Sequence, residues 1–175
     1  MKENKTEFPG LMVVSQEVYH DNRGCFFETY RESLLSWHWV QDNVSQSVKG
    51  VVRGLHYQLK SPQAKLVTCL FGQIVDVVVD IRRDSPTFGR YYQIVLEGGT
   101  GSQLFVPEGF AHGFMVTSNV AVVHYKCSDY FDPKDARGIL WNDLALGIPW
   151  PILDKEVCLS KKDAKNPLFK DAELP

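Results

Sequence analysis

The feature that most constrains the fold is a succession of short runs rich in valine, isoleucine, phenylalanine and tyrosine, separated by turn-forming residues. Each run has the length of a strand, and β-branched and aromatic side chains favour the half-buried surface of a sheet. The clearest runs are Leu11–Ser15, Gly24–Tyr30, Lys65–Phe71, Gln73–Ile81, Tyr91–Leu96, Ser102–Val106, Gly113–Val116 and Ala121–Cys127. Only Arg31–Trp39 and Ser160–Ala164 have helical character, the second with Ser160 as a candidate N-cap. This pattern predicts an all-β sandwich or closed barrel.

Composition limits the size and the partners of the protein. The chain has 175 residues, 44% of them apolar, which is enough for one core and predicts a single domain over residues 1–175. A net charge of −2 argues against a broad cationic surface for nucleic acid. No apolar run reaches the length of a membrane span, and no apolar stretch follows the N-terminal lysines. We therefore expect a cytoplasmic protein that binds neither nucleic acid nor membrane.

The run Gln73–Ile81 carries two carboxylates that alternation places on one face of the strand. Asp76 and Asp80 are four residues apart, so their side chains point the same way. They can line a polar cavity, or they can be hydrogen-bonded carboxylates of an ordinary strand. The sequence leaves both interpretations open.

The densest polar cluster surrounds His56. A single histidine among apolar residues is commonly structural, but Arg53, Gln58 and Lys65 are costly to bury and favour a polar cavity here. Strict alternation puts Arg53 and His56 on opposite faces. They share a cavity only if the strand begins late or bulges, and Gly54 would permit a bulge.

A second histidine, His112, follows the turn Pro107–Gly109 and raises the question of a metal site. A histidine-based site of this kind needs a His-x-His pair and a nearby carboxylate, yet Gln58 stands two residues after His56 and no suitable acid follows. The cysteines lie far apart without a CxxC pair and are expected to be reduced thiols: Cys25, Cys69, Cys127 and Cys158. No metal site is predicted.

Two further segments, Asp21–Glu28 and Val123–Phe131, combine aromatic and polar residues. In the first, Arg23 offers a forked donor set for phosphate and the neighbouring phenylalanines offer a face for a nucleobase, although a polar hairpin with a buried phenylalanine explains the same pattern. In the second, alternation places Tyr125 and Cys127 on one face. A tyrosine that faces a polar interior can donate a proton, whereas one in a core only packs.

Taken together, these segments resemble one family. The strings that carry the resemblance, in chain order from about Asp21 to Pro167, are DNRGCFFE, VQDNVSQS, VVRGLHYQ, AKLV, DVVVDIRRDSPTFG, FVPEGFAHGF, YKCSDYF, ILWND, IPWP and LSKKD. They resemble the motifs of the RmlC-type dTDP-4-dehydrorhamnose 3,5-epimerases and related dTDP-ketosugar epimerases. The resemblance implies a cupin-type jelly roll with a few short helices, a homodimer, and epimerisation of a dTDP-linked 4-keto-6-deoxyhexose without a cofactor or metal.

The same resemblance assigns roles to single residues. His56 is the implied base, Asp163 its dyad partner, Lys65 the cation beside the C4 oxygen, and Tyr125 the acid on the opposite face. For the diphosphate it implies Arg23, Arg53 and Lys162; for the thymidine pocket Phe26, Phe27, Glu28 and Tyr130; and for the sugar and diphosphate Gln41, Asn43 and His112.

Several activities fit these expectations. The leading one is epimerisation at C3 and C5 of dTDP-4-dehydro-6-deoxy-D-glucose, giving dTDP-4-dehydro-L-rhamnose. Epimerisation at C3 or C5 alone of a related ketosugar is an alternative, and a 3,4-ketoisomerase is a more distant one. A sugar-nucleotide-binding protein without turnover and a metal-dependent oxygenase of the same fold complete the set.

Overall fold

A computed structural model of the chain describes residues 2–33, 35, 37–151 and 157–175, and β-strands dominate it. The strands are β1 (Lys2–Lys5), β2 (Met12–Ser15), β3 (Val18–Asp21), β4 (Gly24–Phe27), β5 (Gln41–Val48), β6 (Val52–Gln58), β7 (Lys65–Phe71), β8 (Gln73–Asp80), β9 (Tyr91–Glu97), β10 (Ser102–Val106), β11 (Phe110–Val116), β12 (Val120–Cys127) and β13 (Ala136–Gly138). Among the described residues after β13, Asp163–Lys165 and Phe169–Asp171 form 3₁₀ turns.

The strands form two large antiparallel sheets and one hairpin. The six-stranded sheet has the order β1-β2-β10-β7-β12-β5, the five-stranded sheet has the order β13-β6-β11-β8-β9, and β3 pairs with β4. Strands that are distant in sequence are neighbours in both sheets. The predicted all-β sandwich is therefore confirmed, in the form of a jelly roll.

The main core lies between the two large sheets. Val67 and Leu104 from the six-stranded sheet meet Val78 and Phe114 from the five-stranded sheet in one buried cluster. A second cluster on the other side of the five-stranded sheet, which includes Leu55, contacts residues near the C-terminus such as Phe169. The apolar residues thus close one end of the sandwich and leave its polar inward-facing residues to line the other.

Strand positions follow the sequence prediction closely where the pattern is apolar. The runs Lys65–Phe71 and Ser102–Val106 are strands with those bounds. Strand β5 was not among the predicted runs, because its alternation of Gln41, Asn43, Ser45 and Ser47 is polar on the face that points inward.

The helix predicted at Arg31–Trp39 is wrong. Its described residues, 31–33, 35 and 37–39, form turns and irregular backbone, and the other two lie outside the described residues. Packing explains the difference, because the rings of Trp37 and Trp39 lie with their centroids 5.0 and 6.3 Å from that of Phe105. Contacts with the sheet therefore override the local helical preference.

The segment Ser160–Ala164 forms a shorter structure than predicted. The 3₁₀ turn begins at Asp163, and the Ser160 hydroxyl accepts a hydrogen bond of 3.0 Å from the backbone N–H of Asp163. Beyond it, the Tyr57 hydroxyl donates 2.6 Å to the Glu173 carbonyl. These contacts hold the C-terminal segment against β6.

The two carboxylates of β8 prove to have different surroundings. Asp80 is fully buried and accepts hydrogen bonds from Arg82, Ser85 and Thr87, so it stabilises the loop after its strand. Asp76 is equally buried but contacts His112. One residue fits the structural interpretation, and the other supports the wall of a polar cavity.

Candidate active site

A cavity of about 400 Å³ opens at the polar end of the sandwich. Its wall draws residues from both sheets and from the C-terminal segment. Predicted site residues that line it are Gln41, Asn43, Arg53, His56, Lys65, His112, Tyr125, Lys162 and Asp163. All four predicted catalytic residues are therefore neighbours of one space.

A bulge in β6 brings Arg53 and His56 to the same cavity. His112 of β11 pairs with His56, whereas Phe114, only two residues later, pairs with Arg53 three residues earlier in β6. Gly54 has φ +135° within this bulge, and a Cβ there would lie 2.5 Å from the Gly113 Cα. Of the two arrangements that the sequence left open, a late strand start or a bulge, the structure has the bulge. It needs glycine both for its backbone conformation and for the close approach of β11.

His56 and Asp163 form a short hydrogen-bonded pair. The Nε2 of His56 lies 2.6 Å from Oδ1 of Asp163, whose side chain is only 6% exposed, against 39% for the His56 side chain. With Nε2–H donated to the carboxylate, a neutral imidazole carries its lone pair on Nδ1. The carboxylate therefore fixes the tautomer and leaves a basic nitrogen for a ligand in the cavity.

Asp163 is held in its charged form. Burial by itself would raise the pKa of Asp163, but the hydrogen bond and charge of His56 act against it, together with bonds from the Ser160 hydroxyl and the Gly54 N–H. The net effect is a pKa below the usual carboxyl value. An ionised Asp163 stabilises a protonated His56 once that base has taken up a proton.

Lys65 supplies a cation to the cavity without a carboxylate partner. It begins β7, opposite Cys127 in β12, and its ammonium makes no ion pair with any described acid. Burial lowers the pKa of Lys65, while Cys127 and Asp76 act in the opposite direction. An unpaired cation of this kind can stabilise an oxyanion that forms beside it.

Tyr125 projects from the opposite sheet to His56. It stands in β12 between Asn43 of β5 and Val67 of β7. Burial raises the pKa of its phenol, Cys127 adds to that shift, and Arg53 opposes it. The phenol therefore remains protonated at neutral pH, in the form that can donate a proton.

The inward face of β5 forms a ladder of polar side chains. Gln41 Nε2 donates 2.9 Å to Asn43 Oδ1, and Asn43 Nδ2 lies 3.6 Å from Cys127 Sγ. At the other end, Arg53 Nε donates 3.0 Å to the Ser47 hydroxyl. These bonds orient amide and guanidinium groups toward the cavity.

His112 contributes through a buried pair with Asp76. Its Nε2 lies 2.9 and 3.0 Å from the two carboxylate oxygens, and the side chains are 8% and 0% exposed. His112 pairs with His56 across the two strands. It is therefore a fixed wall residue of the cavity.

Sequence reasoning missed several residues of the cavity wall. The most informative are Ser45, Phe114, Cys127, Phe131 and Arg137. For Cys127 the sequence carries a signal, because alternation places it on the same face as Tyr125. All four cysteines are free thiols in the structure.

Some predicted binding residues lie away from the cavity of their own chain. Arg23 pairs with Asp21 at 2.6 Å, and Phe26 is 71% exposed, both on the β3–β4 hairpin. Glu28 bonds to Arg31, and Phe27 ends β4 without reaching the cavity lining. A single chain does not bring these residues to the catalytic group.

Of the adjacent aromatic residues Tyr130 and Phe131, the one that lines the cavity is Phe131. Phe131 lines the cavity, and its backbone N–H donates 2.9 Å to Gln41 Oε1. Tyr130 is 66% exposed and contacts Gln58 only through its carbonyl. Adjacent aromatic residues carry the same sequence signal, so only the chain path distinguishes them.

In residues 2–33, 35, 37–151 and 157–175, no three His, Cys, Asp or Glu side chains are grouped as metal ligands. No helix of these residues is long and apolar enough to cross a membrane.

The gathered groups suit one kind of chemistry. A carboxylate-backed histidine, a protonated tyrosine on the opposite sheet and an unpaired lysine surround one space. A base, an acid on the other side and a cation are what proton removal next to a carbonyl, followed by reprotonation from the opposite face, requires.

Comparison with known proteins decides the family. Residues 5–171 match the family model described as dTDP-4-dehydrorhamnose 3,5-epimerase. This chain belongs to that family. The dTDP-4-dehydrorhamnose 3,5-epimerase of Salmonella typhimurium is 45% identical over 97% of this chain and 96% of its own.

Solved structures of the family agree in fold. An RmlC epimerase from Legionella pneumophila, in complex with dTDP-4-keto-L-rhamnose, is 42% identical with a TM-score of 0.94, covering 99% of this chain and 97% of its own. A 3′-monoepimerase from Streptomyces bikiniensis, in complex with dTDP, is 28% identical with a TM-score of 0.88, covering 94% and 85%. The chain is an isomerase-class enzyme with the cupin jelly roll that the sequence resemblance implied.

Proposed function

We propose that this epimerase inverts C3 and C5 of dTDP-4-dehydro-6-deoxy-D-glucose and gives dTDP-4-dehydro-L-rhamnose. The observation that carries the proposal is the arrangement of the His56–Asp163 pair, Lys65 and Tyr125 around one cavity. Both carbons are next to the C4 carbonyl, so one base and one cation can serve both inversions. The family membership supports the same substrate class.

Each inversion is a transfer of two protons. His56 takes the proton from the carbon next to the carbonyl. The electron pair of that C–H bond forms a double bond to C4, and the π pair of the carbonyl moves to the C4 oxygen, which gives an enolate. Lys65 stabilises the negative oxygen, and Asp163 stabilises the imidazolium. Tyr125 then donates its proton to the opposite face of the same carbon. The enzyme returns to its starting state when His56 loses its proton and Tyr125 regains one.

In this proposal the diphosphate and the thymine ring of the substrate occupy the rest of the cavity. Arg53 and Lys162 bind the diphosphate, and His112 with the Gln41–Asn43 pair contacts the sugar and its phosphate. Phe131 lies on the cavity wall and offers the face on which thymine stacks. No metal or organic cofactor takes part, because Lys65 provides the positive charge at the oxygen.

We also propose a homodimer in which the β3–β4 hairpin of one chain completes the cavity of the other. Arg23, Phe26, Phe27 and Glu28 resemble substrate-binding positions yet lie off the cavity of their own chain. The six-stranded sheet exposes Val44 at its edge strand, 64% accessible, and Phe71 of the same sheet is 64% accessible. A second copy would cover such side chains and bring the hairpin to the site.

Mixing two inactive variants tests the hairpin proposal. His56→Ala removes the base, and Arg23→Ala removes a hairpin cation. If the hairpin acts on the partner, a hybrid dimer contains one intact site, and random exchange restores roughly a quarter of wild-type activity. If the hairpin acts within its own chain, mixing restores nothing. Sedimentation of the wild type checks for the dimer itself.

Deuterium incorporation in D₂O tests the number of inversions. Deuterium at both C3 and C5 of the product, found by NMR, supports the double epimerase. Deuterium at C3 alone would instead support the activity of a mono-epimerase, such as the Streptomyces relative. A product with its carbonyl at C3 would identify a 3,4-ketoisomerase.

Cytoplasmic location and a single domain over residues 1–175 stay predictions.

A further inference from the structure

Ser45 is the one residue on the inward face of β5 whose polar group has no partner. Its hydroxyl is buried in the cavity wall without a hydrogen bond to any described residue. Gln41, Asn43 and Ser47 on the same face are all hydrogen-bonded. A buried hydroxyl that lacks a hydrogen-bond partner destabilises the folded chain. In a native structure such a group usually has a structural or functional explanation.

The position of Ser45 indicates what the hydroxyl meets. Along β5 it lies between Asn43, which pairs with Tyr125, and Ser47, which holds Arg53. Each neighbour is about 7 Å away along the strand. Neither terminal nitrogen of Arg53 has a partner among the described residues, so the guanidinium fork is available for an anion.

We infer that the Ser45 hydroxyl donates a hydrogen bond to the phosphate that is attached to the sugar. This inference rests on the proposed function, in which Arg53 binds the diphosphate and Tyr125 serves the hexose ring. The sugar-linked phosphate is the part of that ligand between the two. A neutral donor there adds to the cationic contacts of Arg53 and fixes the ring relative to Tyr125, because the phosphate is joined directly to the sugar.

A comparison of dTDP with dTMP tests the contact, since dTMP lacks the sugar-linked phosphate. Ser45→Ala should raise the Kd for dTDP about tenfold and leave the Kd for dTMP unchanged, in calorimetric titrations. Ser45→Thr keeps the hydroxyl and should retain most of the dTDP affinity. Unchanged dTDP binding by Ser45→Ala would overturn the inference, as would equal weakening for dTDP and dTMP.

Thermal unfolding separates this role from a structural one. Because the hydroxyl has no hydrogen-bond partner among the described residues, Ser45→Ala should melt at the wild-type temperature or above it. The matched control is Ser118→Ala, which removes a hydroxyl bonded to the Val120 carbonyl at 2.8 Å and should lower the melting temperature without changing dTDP binding. A lower melting temperature for Ser45→Ala with intact dTDP affinity would assign Ser45 to structure.

The same titrations distinguish this inference from the proposed function. A wild-type enzyme that fails to bind dTDP would overturn the proposed function and the Ser45 contact with it. A wild-type enzyme that binds dTDP and epimerises the ketosugar, with a Ser45→Ala variant that binds dTDP equally well, would overturn only the Ser45 contact. If the hydroxyl contacts a sugar hydroxyl instead, KM for the ketosugar rises while dTDP affinity stays unchanged, which also overturns it.

Discussion

The Nε2 of His56 lies 2.6 Å from the Oδ1 of Asp163, although the two residues are 107 positions apart in the chain. The pair joins a strand of the five-stranded sheet to a 3₁₀ turn near the C-terminus. In the proposed mechanism, the pair acts through the negative charge of Asp163 and not through the hydrogen bond alone.

Replacing that charge should affect turnover more than binding. Asp163→Asn keeps the side-chain volume but removes the carboxylate that orients and stabilises the His56 imidazolium. We expect kcat to fall roughly 10²–10⁴-fold, with dTDP affinity within a few-fold of wild type. Asp171→Asn, an exposed carboxylate of the same segment, is the control and should be fully active. Equal loss of turnover and dTDP binding would assign Asp163 to structure.

Loss of the Tyr125 phenol should separate exchange from inversion. In Tyr125→Phe, His56 can still remove a proton and return one from solvent to the same face, because the base and Lys65 are intact. We expect deuterium to enter the recovered substrate in D₂O while epimerised product falls by at least an order of magnitude. NMR of substrate and product measures both rates. A parallel loss of exchange and inversion would contradict the role of acid on the opposite face.

Chelation should leave the reaction intact. In the proposed mechanism, Lys65 supplies the charge that a metal would otherwise supply to the developing oxyanion. Dialysis against EDTA is therefore expected to leave kcat and KM unchanged, whereas Lys65→Met should lower kcat about 10²–10³-fold. Activity that EDTA abolishes and iron restores would point to a metal-dependent reaction instead.

Acid should weaken the fold in part through Asp80. Burial by itself would raise the pKa of Asp80, but hydrogen bonds from Arg82, Ser85 and Thr87 bring it below the usual carboxyl value. Between the lowered folded pKa and the ordinary pKa, the unfolded chain binds more protons than the folded one. Stability from Asp80 is thus fully present above the ordinary carboxyl pKa of 3.8 and is lost as the pH falls through the folded pKa.

Urea unfolding at several pH values checks this dependence. The free-energy difference between wild type and Asp80→Asn should be largest at pH 7 and should shrink below the ordinary carboxyl pKa. Asp84→Asn changes an exposed carboxylate in the following loop, without a hydrogen bond among the described residues, and should keep the wild-type pH slope. A difference for Asp80→Asn that grows toward acid pH would show that the sign is wrong.

The bulge of β6 makes a prediction about stability. At Gly54 a Cβ would lie 2.5 Å from the Gly113 Cα and 2.9 Å from the His112 carbonyl oxygen. Both are backbone atoms, which cannot move aside at low energetic cost. Gly54→Ala should lower the free energy of unfolding by roughly 3 kcal/mol or more. Gly24→Ala has a similar φ, +130°, but nothing within 4 Å, and should cost about 1–2 kcal/mol. Similar losses for both variants, measured by urea unfolding, would show that strain alone matters.

The sequence by itself determined the all-β class of the fold and the residue types available at the candidate site. Runs such as Lys65–Phe71 became strands because β-branched and aromatic residues on alternating faces have few other ways to be buried. The ordered motifs, through their resemblance to the epimerase family, predicted His56, Asp163, Lys65 and Tyr125 as site residues, and the structure places all four at one cavity.

Only the tertiary structure decided which residues meet. Strand β5 is polar on its buried side because that side faces a cavity, which no local pattern reveals. The choice of Phe131 over Tyr130, the position of Cys127 beside Lys65, and the distance of Arg23 from its own cavity all depend on chain path and strand register. These properties arise from pairings between strands far apart in sequence, and local propensity does not encode them.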